Sequence, residues 1–195
     1  MQQAASSTIT VLALRCRSIL CLFVLSIACN VIATVSMAEQ VRLLDGRLFL
    51  TVPDDFRAMT DEERRSLYPF GIPPEASFIQ IEGKGALAVT HYPQAQTITP
   101  DQLPQVRATL ETELPKRLPG GIKWISREIA NQGGRSWIHL EFLSKGQDDS
   151  EHRNKVLVTT NGADLIFLNA HAQVQYWAEM ASVLDSILST IELNQ

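Results

Sequence analysis

Four apolar segments with regular turn signals between them fill the stretch from residue 122 to 169, and their spacing constrains the fold more than any other feature. The segments are residues 122–130, 135–144, 152–160 and 163–169. The breaks between them are Asn-Gln-Gly-Gly at 131–134, a charged loop at 145–151, and Asn-Gly at 161–162. Connections this short join neighbouring antiparallel strands. The sequence therefore predicts an antiparallel β-meander.

Two segments carry the periodicity of amphipathic helices. The first begins after Thr99-Pro100, ends at Pro115 and Pro119, and has an apolar stripe at Leu103, Val106, Leu110 and Leu114. The second is predicted over about residues 172–191, with an apolar side formed by Trp177, Met180, Val183, Leu184, Ile187, Leu188 and Ile191. A short third helix is expected after Thr60, where Thr-x-x-Glu has the spacing of a capping box.

Two hairpins are predicted before the meander. Asp45-Gly46 joins the apolar runs 41–44 and 47–52 and indicates a two-residue turn, because both turn positions favour positive φ. A second hairpin joins 77–82 to 86–92. The fold class that follows is α+β: an antiparallel β-sheet meander with two main helices packed on one face as a sandwich.

The first 38 residues have the features of a secretory signal peptide, so we expect one domain over residues 39–195. Arg15 and Arg17 precede an uncharged stretch from Ser18 to Ala38 that closes with small residues around Met37. Cleavage after Ala38 releases the domain into the periplasm. Lipidation at Cys29, or retention as an anchor, instead leaves it on the inner membrane facing the periplasm.

Composition excludes several classes of function. The leader holds two Arg and no acid, so the formal charge of −4 for the whole chain becomes −6 for residues 39–195. This argues against nucleic acid as a partner, and limits membrane contact to an uncleaved or lipidated leader. All three cysteines lie in the leader. Residues 39–195 therefore have neither disulfides nor thiol chemistry.

His139 and Glu141 are the one pair that suggests an enzyme. They are two residues apart on a predicted strand and share a face with Trp137. With a remote third residue they would suit a metal-dependent or other hydrolase. The alternative is a solvent-facing stripe, with Ile138 and Leu140 towards the core. Trp137 itself is expected to pack in the core or against Trp124 on the neighbouring strand.

Two other clusters, one acidic and one apolar, are candidate sites. The acidic run 148–151 lacks the alternating ligands of a calcium loop, which favours a solvated turn. Large apolar side chains in the Pro-rich loop at 67–74 either cap the sandwich or line a groove for a peptide or lipid. The residues predicted to form that groove are Tyr68, Phe70 and Ile72, with Tyr176 and Trp177 from the start of the last helix beside them.

The opening VRLLDGRLFLTVP at 41–53 and the hairpin and helix at the end of the chain, closing on ILSTI at 187–191, resemble the DcrB family of bacterial envelope proteins. The resemblance covers most of residues 41–192 and is specific at the two ends. It implies a PsbP-like α/β/α sandwich and a bacterial periplasmic protein, often lipidated. It also implies a binding or adaptor role without known catalysis, and it supplies no functional residue to transfer.

The function predicted from the sequence is thus a non-enzymatic periplasmic binding or envelope-accessory protein. Its expected partner is an envelope protein, a peptide or a lipid, and no cofactor is expected. A chaperone or immunity protein for a secreted effector lies within this class. The alternative from a different class is the hydrolase that uses His139 and Glu141.

Overall fold

The computed structural model describes residues 38–68, 73–118, 120–146 and 148–194 of the chain. The predicted leader, with Cys29, lies outside the described residues except for Ala38. The strands are β1 Ala38–Leu43, β2 Leu48–Pro53, β3 Phe56–Ala58, β4 Ala76–Gln80, β5 Gly85–Pro93, β6 Ile122–Gln132, β7 Arg135–Lys145, β8 Glu151–Asn161, β9 Asp164–Gln173 and β10 Glu192–Leu193. The helices are α1 Asp61–Leu67, α2 Leu103–Arg117 and α3 Trp177–Ser189.

The strands form two antiparallel sheets. Seven of them lie in the order β3-β4-β5-β9-β8-β7-β6, and the other three in the order β1-β2-β10. The stretch from β6 to β9 is the predicted meander, in which each strand pairs with the next along the chain. The predicted α+β class and antiparallel meander are confirmed.

The first hairpin forms, but the predicted two-residue turn is wrong. Leu43 pairs with Leu48, so the connection has four residues and includes a short 3₁₀ segment, Leu44–Gly46. Leu44, Asp45 and Gly46 all have positive φ. Leu44 leaves the strand because its side chain is buried in the core. Burial of a leucine outweighs the unfavourable backbone conformation here.

The helix boundaries depart from the prediction in two places. The predicted start of the last helix near residue 172 is wrong, because Ala170 and Ala172 continue β9 with their side chains buried under α3. α2 also continues past Pro115, the first of the two prolines predicted to end it, and stops at Arg117, before the second, Pro119. The capping box of α1 is confirmed: Thr60 Oγ1 accepts from the Glu63 backbone N–H, and the Glu63 carboxylate accepts from that of Thr60.

The two main helices cover opposite faces of the seven-stranded sheet, so the prediction that both pack on one face is wrong. α3 and the small sheet pack over β5 and β9, whereas α2 packs over β6 and β7. Successive residues of a strand point to opposite faces, and here both sets are apolar. In β8, for example, Leu157 joins the core under α3 while Val156 and Val158 join the core under α2.

Among the helices that the structure describes, none combines the length and apolar character needed to cross a bilayer.

Candidate functional site

Of the residues predicted to form one apolar groove, the structure describes three, and it places Tyr68 apart from Tyr176 and Trp177. Tyr68, just after α1, contacts His171 on the face of the sheet that α2 covers. Tyr176 and Trp177 pack against the core on the opposite face, under α3. Phe70 and Ile72 lie outside the described residues. The sheet therefore separates Tyr68 from the two aromatic residues that were expected beside it.

Trp177 belongs to a network of ion pairs on the α3 face. The guanidinium of Arg153 lies 4.6 Å from the Trp177 ring centroid, and the Lys155 ammonium lies 5.6 Å from it. Arg153 Nε donates a 2.8 Å hydrogen bond to Glu141, and Lys155 donates a 2.5 Å bond to Asp185 of α3. These cations already have partners, so the network joins α3 to the sheet rather than presenting charge to a ligand.

His139 and Glu141 share this face, as predicted, but they do not form a catalytic pair. Glu141 is bound by Arg153, as described above. Burial lowers the pKa of His139, an effect that Glu128 opposes and Lys155 reinforces. The Nε2 atom of His139 is buried, has no hydrogen-bond partner among residues 38–68, 73–118, 120–146 and 148–194, and lies beside a small cavity of about 230 Å³. Within the described ranges, no group of three or more His, Cys, Asp or Glu residues is placed to hold a metal.

The prediction that this face is a solvent-facing stripe is also wrong. Trp137, two residues before His139, is only 2% exposed and packs in the core under α3. Trp124 belongs to the other core, where its ring meets Phe142 edge-on with centroids 5.4 Å apart. The two tryptophans are both core residues, and they lie on opposite faces of the sheet.

A cleft with polar lining residues, about 420 Å³ in volume, lies on the α2 face beyond the end of that helix. We call it the polar cleft. Its lining residues come from four parts of the chain: Ser66, Leu67 and Tyr68 at the end of α1; Leu118 after α2; Ser144, Lys145, Gly146 and Asp148 around the β7–β8 turn; and His152, Asn154, Asn169, His171 and Gln173 on β8 and β9.

Strand register places the polar groups of the cleft side by side. Asn154 of β8 pairs with His171 of β9, and His152 pairs with Gln173. Residues that pair across antiparallel strands share a face, so their side chains form a polar floor. The next pair on the same face is Val156 with Asn169. From Val156 this face of the sheet becomes apolar, where α2 covers it. The floor is polar because α2 ends before reaching it.

His171 is the most deeply buried ionisable group of the cleft. Its Nε2 shares a 3.1 Å hydrogen bond with the Tyr68 hydroxyl, and the centroids of the His152 and His171 rings are 5.6 Å apart. Burial, with a smaller effect of His152, lowers the pKa of His171 to about 4. Burial likewise raises the pKa of Tyr68. Both groups are therefore uncharged at neutral pH, and the floor of the cleft is polar without carrying charge.

Ser150, between the two strands, has the neighbours of a nucleophile but the wrong arrangement. Its Oγ lies 2.5 Å from Asp148 Oδ1 and 2.8 Å from His152 Nε2. The hydrogen bonds from Ser150 lower the pKa of Asp148, so this carboxylate is ionised and can only accept. The Ser150 hydroxyl therefore donates its hydrogen bond to Asp148. His152 Nε2 donates to Ser150 Oγ instead of serving as its base.

Two carboxamides complete the floor. Asn154 is 7% exposed, and its Nδ2 donates to Ser144 Oγ at 3.0 Å and to the His152 carbonyl at 3.3 Å. The Oδ1 atom of Asn169 is buried and has no hydrogen-bond partner among the described residues. A buried acceptor left unpaired is costly, which makes this oxygen the point where a ligand donor gains most.

Among the residues that line this cleft, sequence reasoning proposed only Tyr68 and its neighbour Leu67 for a binding site, and for another reason. The signal that was available is the alternation of polar residues at 152 and 154 and again at 169, 171 and 173. Alternation of this kind is usual on a solvent-facing strand. Nothing in it indicates that the two sets are neighbours beneath α1.

No family profile matches the sequence, and no curated protein matches it significantly. Solved structures do show the fold. Cyanobacterial PsbP (CyanoP) from Synechocystis sp. PCC 6803 is similar with a TM-score of 0.54 and 16% identity, over 85% of this chain and 97% of that one. LpqN of Mycobacterium tuberculosis, which is involved in cell envelope biogenesis, is similar with a TM-score of 0.57 and 19% identity, over 84% of this chain and 94% of that one.

The chain thus has a PsbP-like α+β fold, in which a twisted antiparallel sheet lies between helices. Identities this low establish the fold and not the activity. The resemblance to the DcrB family stays a prediction.

Proposed function

We propose that this chain is a non-enzymatic accessory protein of the bacterial envelope that binds its partner through the polar cleft. The observation that carries the proposal is the floor of that cleft. Nine-tenths-buried His171 and Asn154 lie there beside Asn169 Oδ1, which has no hydrogen-bond partner in the part of the chain that the structure describes, and the depression is open to solvent. Buried polar groups that remain accessible on one side are typical of a binding site.

The cellular location in this proposal rests on two supports. The first is the leader at residues 1–38, which fits export to the periplasm. The second is fold similarity to LpqN, itself a protein of envelope biogenesis. Release after Ala38 is our preferred outcome, and lipidation at Cys29 is the alternative. Mass spectrometry of the mature N-terminus distinguishes them, because release leaves a free Glu39.

A binding role fits the chemistry of the cleft better than hydrolysis does. The Ser150 hydroxyl donates its hydrogen bond to Asp148, and the His152 imidazole donates to Ser150 Oγ. On the other face, Glu141 is held by Arg153 and is not free to act as a base or metal ligand. These arrangements favour recognition over proton transfer.

Site-specific photo-cross-linking in intact cells tests the proposal. A photoreactive residue at Ser66, on the rim of the cleft, is expected to give cross-linked material in the envelope fraction. The same residue at Asn131, exposed at the far end of β6, serves as the control and is expected to give none. Equal cross-linking from both positions, or none from Ser66, would contradict the proposal.

A further inference from the structure

We propose that the polar cleft binds an uncharged, hydroxyl-rich ligand, namely a saccharide. This inference rests on the proposed function and specifies the chemistry of its ligand. Three features of the cleft carry it: the kind of polar group on the floor, the uncharged character of that floor, and the apolar wall.

The floor consists of groups that both donate and accept hydrogen bonds. A carboxamide offers one acceptor and two donors, and a neutral imidazole offers one of each. Asn169 and His171 are of these two kinds, and Asn169 Oδ1 is an acceptor to which none of the described residues donates. A hydroxyl group is likewise donor and acceptor at once. Adjacent hydroxyls on a sugar ring therefore match this floor better than a group that only accepts or only donates.

The charged side chains of the cleft lie at its rim, whereas its floor is uncharged. Lys145 Nζ lies 3.5 Å from Asp149, and Asp148 accepts from both the side chain and the backbone N–H of Ser150. His152 and His171 on the floor are neutral, because burial lowers the pKa of each. A charged group that reached the floor would lose its hydration without gaining an opposite charge there. An uncharged ligand avoids that cost.

The wall of the cleft is apolar where the floor is polar. Leu67 and Leu118 line it, and the Tyr68 ring stands edge-on to the His171 ring with centroids 6.0 Å apart. Sugar rings present C–H groups on their faces and hydroxyls at their edges, and such an amphipathic shape suits a cleft with these two surfaces. The volume of about 420 Å³ lies within the usual range of small-molecule sites.

Titration of the isotope-labelled domain with defined probes tests this inference. The probes are N,N′-diacetylchitobiose and maltose as neutral saccharides, inorganic phosphate as an anion, and a blocked tri-alanine peptide as a neutral amide. We expect at least one saccharide to shift the backbone amide signals of Asn154, Asn169 and His171 in a saturable manner. Phosphate and the peptide are expected to leave them unchanged.

Asn169→Leu is the variant that isolates the floor. It keeps the approximate volume of the side chain but removes the unpaired oxygen, so we expect it to weaken saccharide binding by roughly tenfold or more. Asn131→Leu makes the same change at the exposed far end of β6 and is expected to bind within about twofold of the wild-type affinity. Amide spectra of both variants confirm that they fold.

The outcomes separate this inference from the proposed function. Saturation by phosphate or by the peptide, or a saccharide affinity that Asn169→Leu leaves intact, overturns the saccharide assignment. The saccharide assignment is also overturned if neither saccharide shifts the cleft signals while Ser66 still cross-links to envelope material. In that case the proposed function stands. If the cross-links fail as well, both are overturned.

Discussion

Replacement of Trp137 by alanine is expected to lower the free energy of unfolding by about 3–5 kcal/mol. The side chain is 2% exposed and is the largest of the fully buried ones in the core under α3. Its removal withdraws a large apolar surface from the core and leaves a cavity that the surrounding strands cannot fill. Both effects favour the unfolded chain.

Urea unfolding followed by circular dichroism measures this loss. The control is Ile125→Ala, in the bulge of the edge strand β6, where the side chain is 44% exposed. We expect this control to stay within about 0.5 kcal/mol of wild type, as is usual at the surface. A loss below about 1 kcal/mol for Trp137→Ala would contradict its placement in the core.

Acidification is expected to destabilise the domain through His171, by about 3 kcal/mol once the pH reaches 4. In the unfolded chain this histidine takes up a proton near pH 6.5, whereas in the folded domain its pKa is about 4. Between these values the unfolded state binds more protons, so stability falls as pH falls. Well above pH 6.5, from about pH 7.5, both states are neutral at this position, and the contribution of His171 no longer changes with pH.

His171→Gln separates this contribution from that of the other titrating groups. Glutamine offers a polar partner to the Tyr68 hydroxyl but cannot be protonated, and His152 and Asp148 remain in place. Urea midpoints at pH 7.5, 5.5 and 4 are expected to fall less steeply in the variant than in the wild type. Parallel pH profiles for the two proteins would show that His171 is not held neutral by burial.

The meander from β6 to β9 was predictable because its evidence is local. Turn residues at 131–134 and 161–162 interrupt apolar runs, and hairpin geometry follows from such neighbours. Periodicity alone did not place the start of α3. Ala170 and Ala172 suit a helix as well as a strand, and only their burial against α3 and pairing to β8 decide between the two.

The cleft could not be predicted because it depends on contacts distant in sequence. Tyr68 lies 103 residues from His171, and no local pattern links them. The assignment of α2 and α3 to opposite faces is of the same kind. An apolar stripe shows that a helix packs on a sheet, but it does not show on which side. The sequence therefore predicts which residues pack, and the structure is needed to tell which of them meet.

The separation of the two faces allows residues of the polar cleft to change without disturbing the main core. Its main core, with α3 and the small sheet, lies on one side of β8 and β9, and the polar floor lies on the other. Asn169 and His152 can thus be exchanged for other polar residues without touching the packing around Trp137 or Leu168. A few substitutions on the floor of the cleft can therefore change its chemistry, while the core under α3 continues to stabilise the fold.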